Sequence, residues 1–144
     1  MNVELLVICD AANTDAGGKL NVFGIWDTVG AQTAPLVHPI CTVVAKMRFE
    51  RIEEGQKALR MAIVDADGRE VFPTLNSNVQ VRVPPNSPSG TLQILLEIRQ
   101  LTLPHFGEYE VNVALDGRVV GSTPLFAKQI QPPQFPGQQP GGGG

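Results

Sequence analysis

Thr42-Val43-Val44-Ala45-Lys46-Met47-Arg48-Phe49 is the stretch that decides the fold class. Its apolar residues recur at every second position. Val43, Ala45, Met47 and Phe49 fall on one face, and Lys46 and Arg48 on the other. That period of two belongs to a half-buried antiparallel strand. The same alternation returns on the C-terminal side, with Leu59, Met61 and Ile63 opposite Arg60, then Val79, Val81 and Val83 before Pro84-Pro85, then Val111, Val113 and Leu115. On the N-terminal side, Val3 to Cys9 and Leu20 to Trp26 are apolar, β-branched runs separated by the turn cluster Asn13 to Gly18. Thr91 to Leu101 fits a strand through Leu92, Ile94, Leu96 and Ile98, and also has a helical face. Its neighbours and the following Pro104 favour strand.

Asp67-Gly68 and Asp116-Gly117 each sit between two such runs. Both predict hairpins with two-residue turns, because Asp tolerates positive φ and Gly adopts it without a Cβ clash. Strands about ten residues apart with turn signals between them point to a β-sandwich or barrel. Leu103-Pro104-His105-Phe106-Gly107-Glu108-Tyr109 selects the sandwich. Its spacing is that of the tyrosine corner, in which Tyr109, the only tyrosine, bonds through its hydroxyl to upstream backbone.

Composition agrees with this class. The chain has 144 residues, 42% hydrophobic and 17% charged, enough for one domain with a core that needs no staples. Fifteen glycines and 12 prolines do not suit a helical bundle. Fourteen acidic against 11 basic residues give a net charge of −3, the wrong sign for a nucleic-acid-binding domain. No apolar stretch is long enough to span a membrane, and the start lacks the basic and apolar regions of a secretion signal, so a cytoplasmic protein with no membrane partner is expected. Cys9 and Cys41, both in strand-like runs, are expected as reduced, buried hydrophobes rather than a disulfide. After Ile130 the chain contains only Gln, Pro, Gly and Phe135. The expected division is a sandwich over residues 2–128 and a flexible tail over 129–144.

Motifs for chemistry are sparse. The chain lacks the glycine-rich signatures of nucleophile elbows, phosphate loops and dinucleotide turns. His38, Cys41 and Cys9 offer at most three zinc ligands, with His105 remote, and read as a loop histidine beside core cysteines. Asp65-Ala66-Asp67-Gly68-Arg69-Glu70 looks like the opening of a calcium loop but lacks the length and the helices, so turn chemistry is preferred. Asp10, Asn13 and Asp15 are read the same way. No cofactor, metal or catalytic set is expected. Trp26 is expected in the core between the sheets.

Four residues stand out as interaction candidates. Lys46, Arg48 and Arg60 would share an outer face if strands 42–49 and 57–64 are neighbours, offering a surface to an anionic ligand or acidic partner. Phe135, within Pro133-Gln134-Phe135-Pro136, is the large apolar side chain of the tail.

Val3 to Asp10, Gly18 to Asp27, Asp65 to Pro73, and Phe106 to Tyr109 leading to Asp116-Gly117 resemble a family of small bacterial proteins of unknown function. The resemblance runs over residues 3–127 and implies a stand-alone β-sandwich. It implies no activity, cofactor or catalytic residue. Trp26 stands where members carry Phe or another aromatic.

The expectation is a single immunoglobulin-like antiparallel β-sandwich of seven to nine strands with a disordered C-terminal tail. Its leading function is a non-catalytic binding or scaffolding module for an unknown protein partner. The alternatives are an enzyme or small-ligand binder with a pocket at one end, near His38 or His105, and a structural subunit of a larger assembly.

Overall fold

A computed structural model describes residues 1–132. Among them are nine strands: β1 (Asn2–Thr14), β2 (Leu20–Trp26), β3 (Thr28–Ala31), β4 (Leu36–Glu50), β5 (Gly55–Asp65), β6 (Leu75–Val81), β7 (Ser89–Leu103), β8 (Gly107–Leu115) and β9 (Arg118–Gln129). They form two sheets. The first has the order β2-β1-β4-β7 and the second β3-β9-β8-β5-β6.

The alternation read in the sequence is the alternation that builds the core. Val43, Ala45, Met47 and Phe49 of β4 are at most 2% exposed and meet Leu59, Met61 and Ile63 of β5 and Val111, Val113 and Leu115 of β8 across the interior. Thr91 to Leu101 lies within the long strand β7. Cys9 and Cys41 are free and buried, and burial pushes the Cys41 thiol up to about 11.

Adjacent β-branched runs in sequence are not always adjacent in space. The condition for Lys46, Arg48 and Arg60 to share a face, strands 42–49 and 57–64 side by side, is not met: β4 pairs with β1 and β7, whereas β5 pairs with β6 and β8. The link between them is a single 3₁₀ turn, Arg51–Glu53, in which the Glu53 carboxylate accepts from the Glu50 amide at 2.9 Å. Gly55 follows at φ +130°, and the chain crosses to the other sheet instead of making a hairpin.

The two Asp-Gly turns also differ. Asp116 and Gly117 have φ of +50° and +80° between the paired residues Leu115 and Arg118, which is the expected two-residue turn. At Asp67-Gly68 only the glycine has positive φ, +81°. The Asp65 carboxylate accepts from the amides of Asp67 and Arg69, both at 2.9 Å, and closes a three-residue loop with a glycine bulge. Asp15-Ala16-Gly17-Gly18-Lys19 repeats this bond for bond: the Asp15 carboxylate accepts from Gly17 and Lys19 at 2.9 Å, and Gly18 has φ +81°. The carboxylates of Asp15 and Asp65 are thus occupied in closing turns.

The strand order is that of the immunoglobulin sandwich. β4 and β7 stand as strands B and E, and β5, β8 and β9 as C, F and G. β3 pairs with β9 in parallel, in a fold otherwise antiparallel. Tyr109, near the start of β8, is 2% exposed. Its hydroxyl donates to the His105 carbonyl at 2.6 Å and accepts from the His105 amide at 3.1 Å, a corner closed at both ends. Trp26 faces inward as expected, opposite the core residue Ile8. It ends the edge strand β2 and packs against the core from the rim, half-buried, its ring 4.8 Å from that of His38.

Candidate functional site

A β-sandwich has four sheet edges, and three of them here are closed to further pairing. β3 is four residues long. β2 is broken by Gly24, whose φ of +67° sets it against the Asp10 side chain. β6 carries Asn76, Asn78 and Gln80 outward and soon meets Pro84-Pro85. Short strands, kinks and prolines are the usual ways of blunting an edge.

β7 has none of these over its first eleven residues. Ser89 to Arg99 pairs with β4 on one side, from Ser89 opposite Glu50 to Arg99 opposite Ile40, and with no strand among the described residues on the other. The stretch contains no proline or lysine, and its two charges are Glu97 and Arg99, paired at 2.9 Å. Regular geometry stops only at Gln100, with φ +53°. In immunoglobulin domains the four-strand sheet runs A-B-E-D. Here no strand among the described residues takes the D position beside β7.

Beneath this edge the interior is open. Leu92, Ile94 and Leu96 face inward yet remain half-buried, in contrast to the fully buried inward residues of β4. A cleft of about 310 Å³ lies between Leu96 and Ile98 of β7, Met61 and Ile63 of β5, Phe72 of the β5–β6 connection and Leu75 of β6. A strand laid along β7 would satisfy the free amides and carbonyls of the edge and place alternate side chains at this cleft.

The candidates named from sequence are dispersed. Lys46 and Arg48 are together on the outer side of the first sheet. The Glu4 carboxylate takes Arg48 Nε at 2.9 Å and Lys46 Nζ at 3.5 Å, and these cations hold the Glu4 carboxyl below the usual carboxylate range, the Arg48 hydrogen bond first among the causes. Arg60 lies on the second sheet, paired with Glu70, and so does not share their face. Phe135 and the Pro133 to Pro136 motif fall outside the described residues. His105 serves the tyrosine corner, its Nε2 3.9 Å from the Asp65 carboxylate, and His38 packs against Trp26 with the rings tilted at 53°. No cluster of three or more metal-ligating side chains occurs among the described residues, and no described helix is long and apolar enough to cross a membrane. The β7 edge escaped the sequence reading because alternation says which face is buried, not which neighbour is missing. The available signal was the length of the β7 run without lysine or proline.

A family model for a family of unknown function, DUF6941, matches residues 4–128. The chain belongs to this family. No curated protein matches it. Among solved structures, it is similar to the Pseudomonas fluorescens alkylpurine DNA glycosylase AlkC bound to DNA containing an abasic-site analogue, with 11% identity and a TM-score of 0.51 over 88% of this chain. The chain spans only 30% of that enzyme, and the likeness is one of fold. An immunoglobulin-like protein from Pseudomonas aeruginosa also matches, with 13% identity and a TM-score of 0.30, over 88% of this chain and 95% of that one.

Proposed function

We propose that the protein is a non-catalytic binding module that takes an extended, alternately apolar segment of another protein as an added strand beside β7. The observation that carries this reading is the unblunted edge from Ser89 to Arg99 lying over an open apolar cleft. Main-chain hydrogen bonds would supply affinity, and the pocket between Leu96, Ile98, Phe72 and Leu75 would supply selectivity for an apolar side chain. Glu97 and Arg99 favour a segment with the opposite order of charges facing them.

Selection from a random peptide library on the immobilised protein tests it. Enriched peptides should alternate apolar and polar residues, and Leu96→Arg should abolish their binding while Arg60→Gln leaves it unchanged. Truncation after Ile130 should not alter it either. Enriched peptides that bind Leu96→Arg as well as the original protein would refute the reading. A β7-mediated dimer in light scattering would assign the edge to a second copy instead.

A further inference from the structure

The outer side of the first sheet carries a second feature, which shares Ser89, Thr91 and Gln93 with the start of β7 but none of the residues of the cleft beneath Leu96. After Cys9, β1 no longer pairs with β4. The β1–β2 hairpin brings its turn back over the sheet, so that Lys19 borders the same groove as Lys46 and Arg48 of β4. Arg82, just beyond β6, closes the groove from the other side. Its position depends on Gly90: the Arg82 carbonyl packs so closely on β7 that any Cβ at Gly90 would overlap it.

The groove has a volume of about 730 Å³. Four cations line it, from three separated segments of the sequence, and no carboxylate does. The whole chain has 11 basic and 14 acidic residues, so this local balance is opposite to the global one. Ser89, Thr91 and Gln93 add neutral hydrogen-bonding groups. Arg48 is already oriented, its Nη1 donating to Ser89 Oγ at 2.8 Å while Glu4 holds its other side. Glu4 contacts Lys46 and Arg48 from outside the lining, and the Asp15 carboxylate beside Lys19 is engaged by turn amides. Lys19 and Arg82 form no salt bridge among the described residues.

We infer that this groove binds a phosphate-bearing ligand of charge −2 or more. One guanidinium fixed by hydrogen bonds, three further cations and adjacent hydroxyls suit the several acceptor oxygens of a phosphate. The volume exceeds what a lone phosphate fills and is in the range of small-ligand sites, so the phosphate is expected to carry a body, either a free phosphorylated compound or a phosphorylated side chain with its flanking residues.

Isothermal titration with pyrophosphate, with a phosphoserine hexapeptide, with its unphosphorylated form and with a single-stranded DNA oligomer tests the inference and separates the two sources. At least one phosphorylated probe should bind saturably at one site, with affinity falling as salt rises. The doubly substituted protein Lys46→Gln/Arg82→Gln should lose at least tenfold. Lys19→Gln, a turn substitution with no core contact, should lose severalfold, so that a misfolded double variant does not decide the matter. Leu96→Arg should leave the affinity unchanged. No saturable binding of either phosphorylated probe at millimolar concentration would overturn the inference. Equal binding of the unphosphorylated peptide, affinity insensitive to both variants, or a preference for single-stranded DNA over both phosphorylated probes would do the same.

Discussion

The two sheets of this sandwich obey the same alternation inward and differ outward. In the second sheet the large outward side chains are polar: Asn76 and Asn78 on β6, Glu108, Glu110 and Asn112 on β8, and Ser122 on β9, which bonds to Asn112 at 2.8 Å. The outward residues that are covered there are the alanines Ala62 and Ala114. In the first sheet Thr42 and Val44 also face outward, yet they are 6% and 0% exposed beneath the returning hairpin. Beside them lie a groove lined by cations and, at β7, an edge left unblunted. A sheet that only has to cover a core has no need of either. The second sheet is accounted for by folding alone, whereas the first carries features that folding does not require.

The sharpest way to break this comparison is to place the same charge on both outer faces. Val44→Asp puts a carboxylate at a buried position with no partner and should cost about 3–5 kcal/mol in urea unfolding. Asn78→Asp, on exposed β6, should stay within about 0.5 kcal/mol. Equal effects would mean that the first sheet's outer face is not covered.

Tyr109→Phe should cost about 1–3 kcal/mol, because it strips a buried hydroxyl from a carbonyl and an amide while keeping the ring. A loss of a few tenths would make the corner incidental to stability.

Two pH effects are smaller, and both belong to the first sheet. Cys41, with its folded thiol at about 11 against an ordinary 9.0, ionises first in the unfolded chain. Stability should therefore be full below about pH 9 and fall as pH rises through the folded value, and Cys41→Ala should flatten that fall. Glu4 has the opposite sign. Its folded pKa is depressed, mainly by the Arg48 hydrogen bond, so its contribution is present above the ordinary value of 4.5 and lost as pH falls through the lower folded one. Glu4→Gln should lessen the acid dependence of unfolding. An acid limb unchanged by that substitution would mean that Arg48 gains nothing from Glu4.

Inward-facing structure was legible in the sequence, because burial imposes a period of two that Val43 to Phe49, Leu59 to Ile63 and Val111 to Leu115 state directly. The tyrosine corner was legible for a different reason: its bonds close within four residues. Pairing between distant strands leaves no such local mark. Nothing in residues 42–64 distinguishes a hairpin from a crossover except Gly55 and the short turn before it, which is why the sequence left open whether Arg60 shares a face with Lys46 and Arg48. Lys19 and Arg82 were invisible as partners of Lys46 and Arg48 because only the returning hairpin and the β6–β7 connection bring them there. The three-residue loop at Asp65 was likewise hidden, since its closure is set by the Asp65 carboxylate upstream of the Asp-Gly pair.

The claim that recognition resides in the first sheet, at β7, is tested most directly by amide NMR. The protein would be titrated with a peptide enriched on it and the shifts mapped residue by residue. The account predicts changes concentrated on Ser89 to Arg99 and on Phe72 to Leu75, with new protection from hydrogen exchange along β7. Shifts confined to the outer residues of β5, β8 and β9, with β7 unmoved, would contradict it.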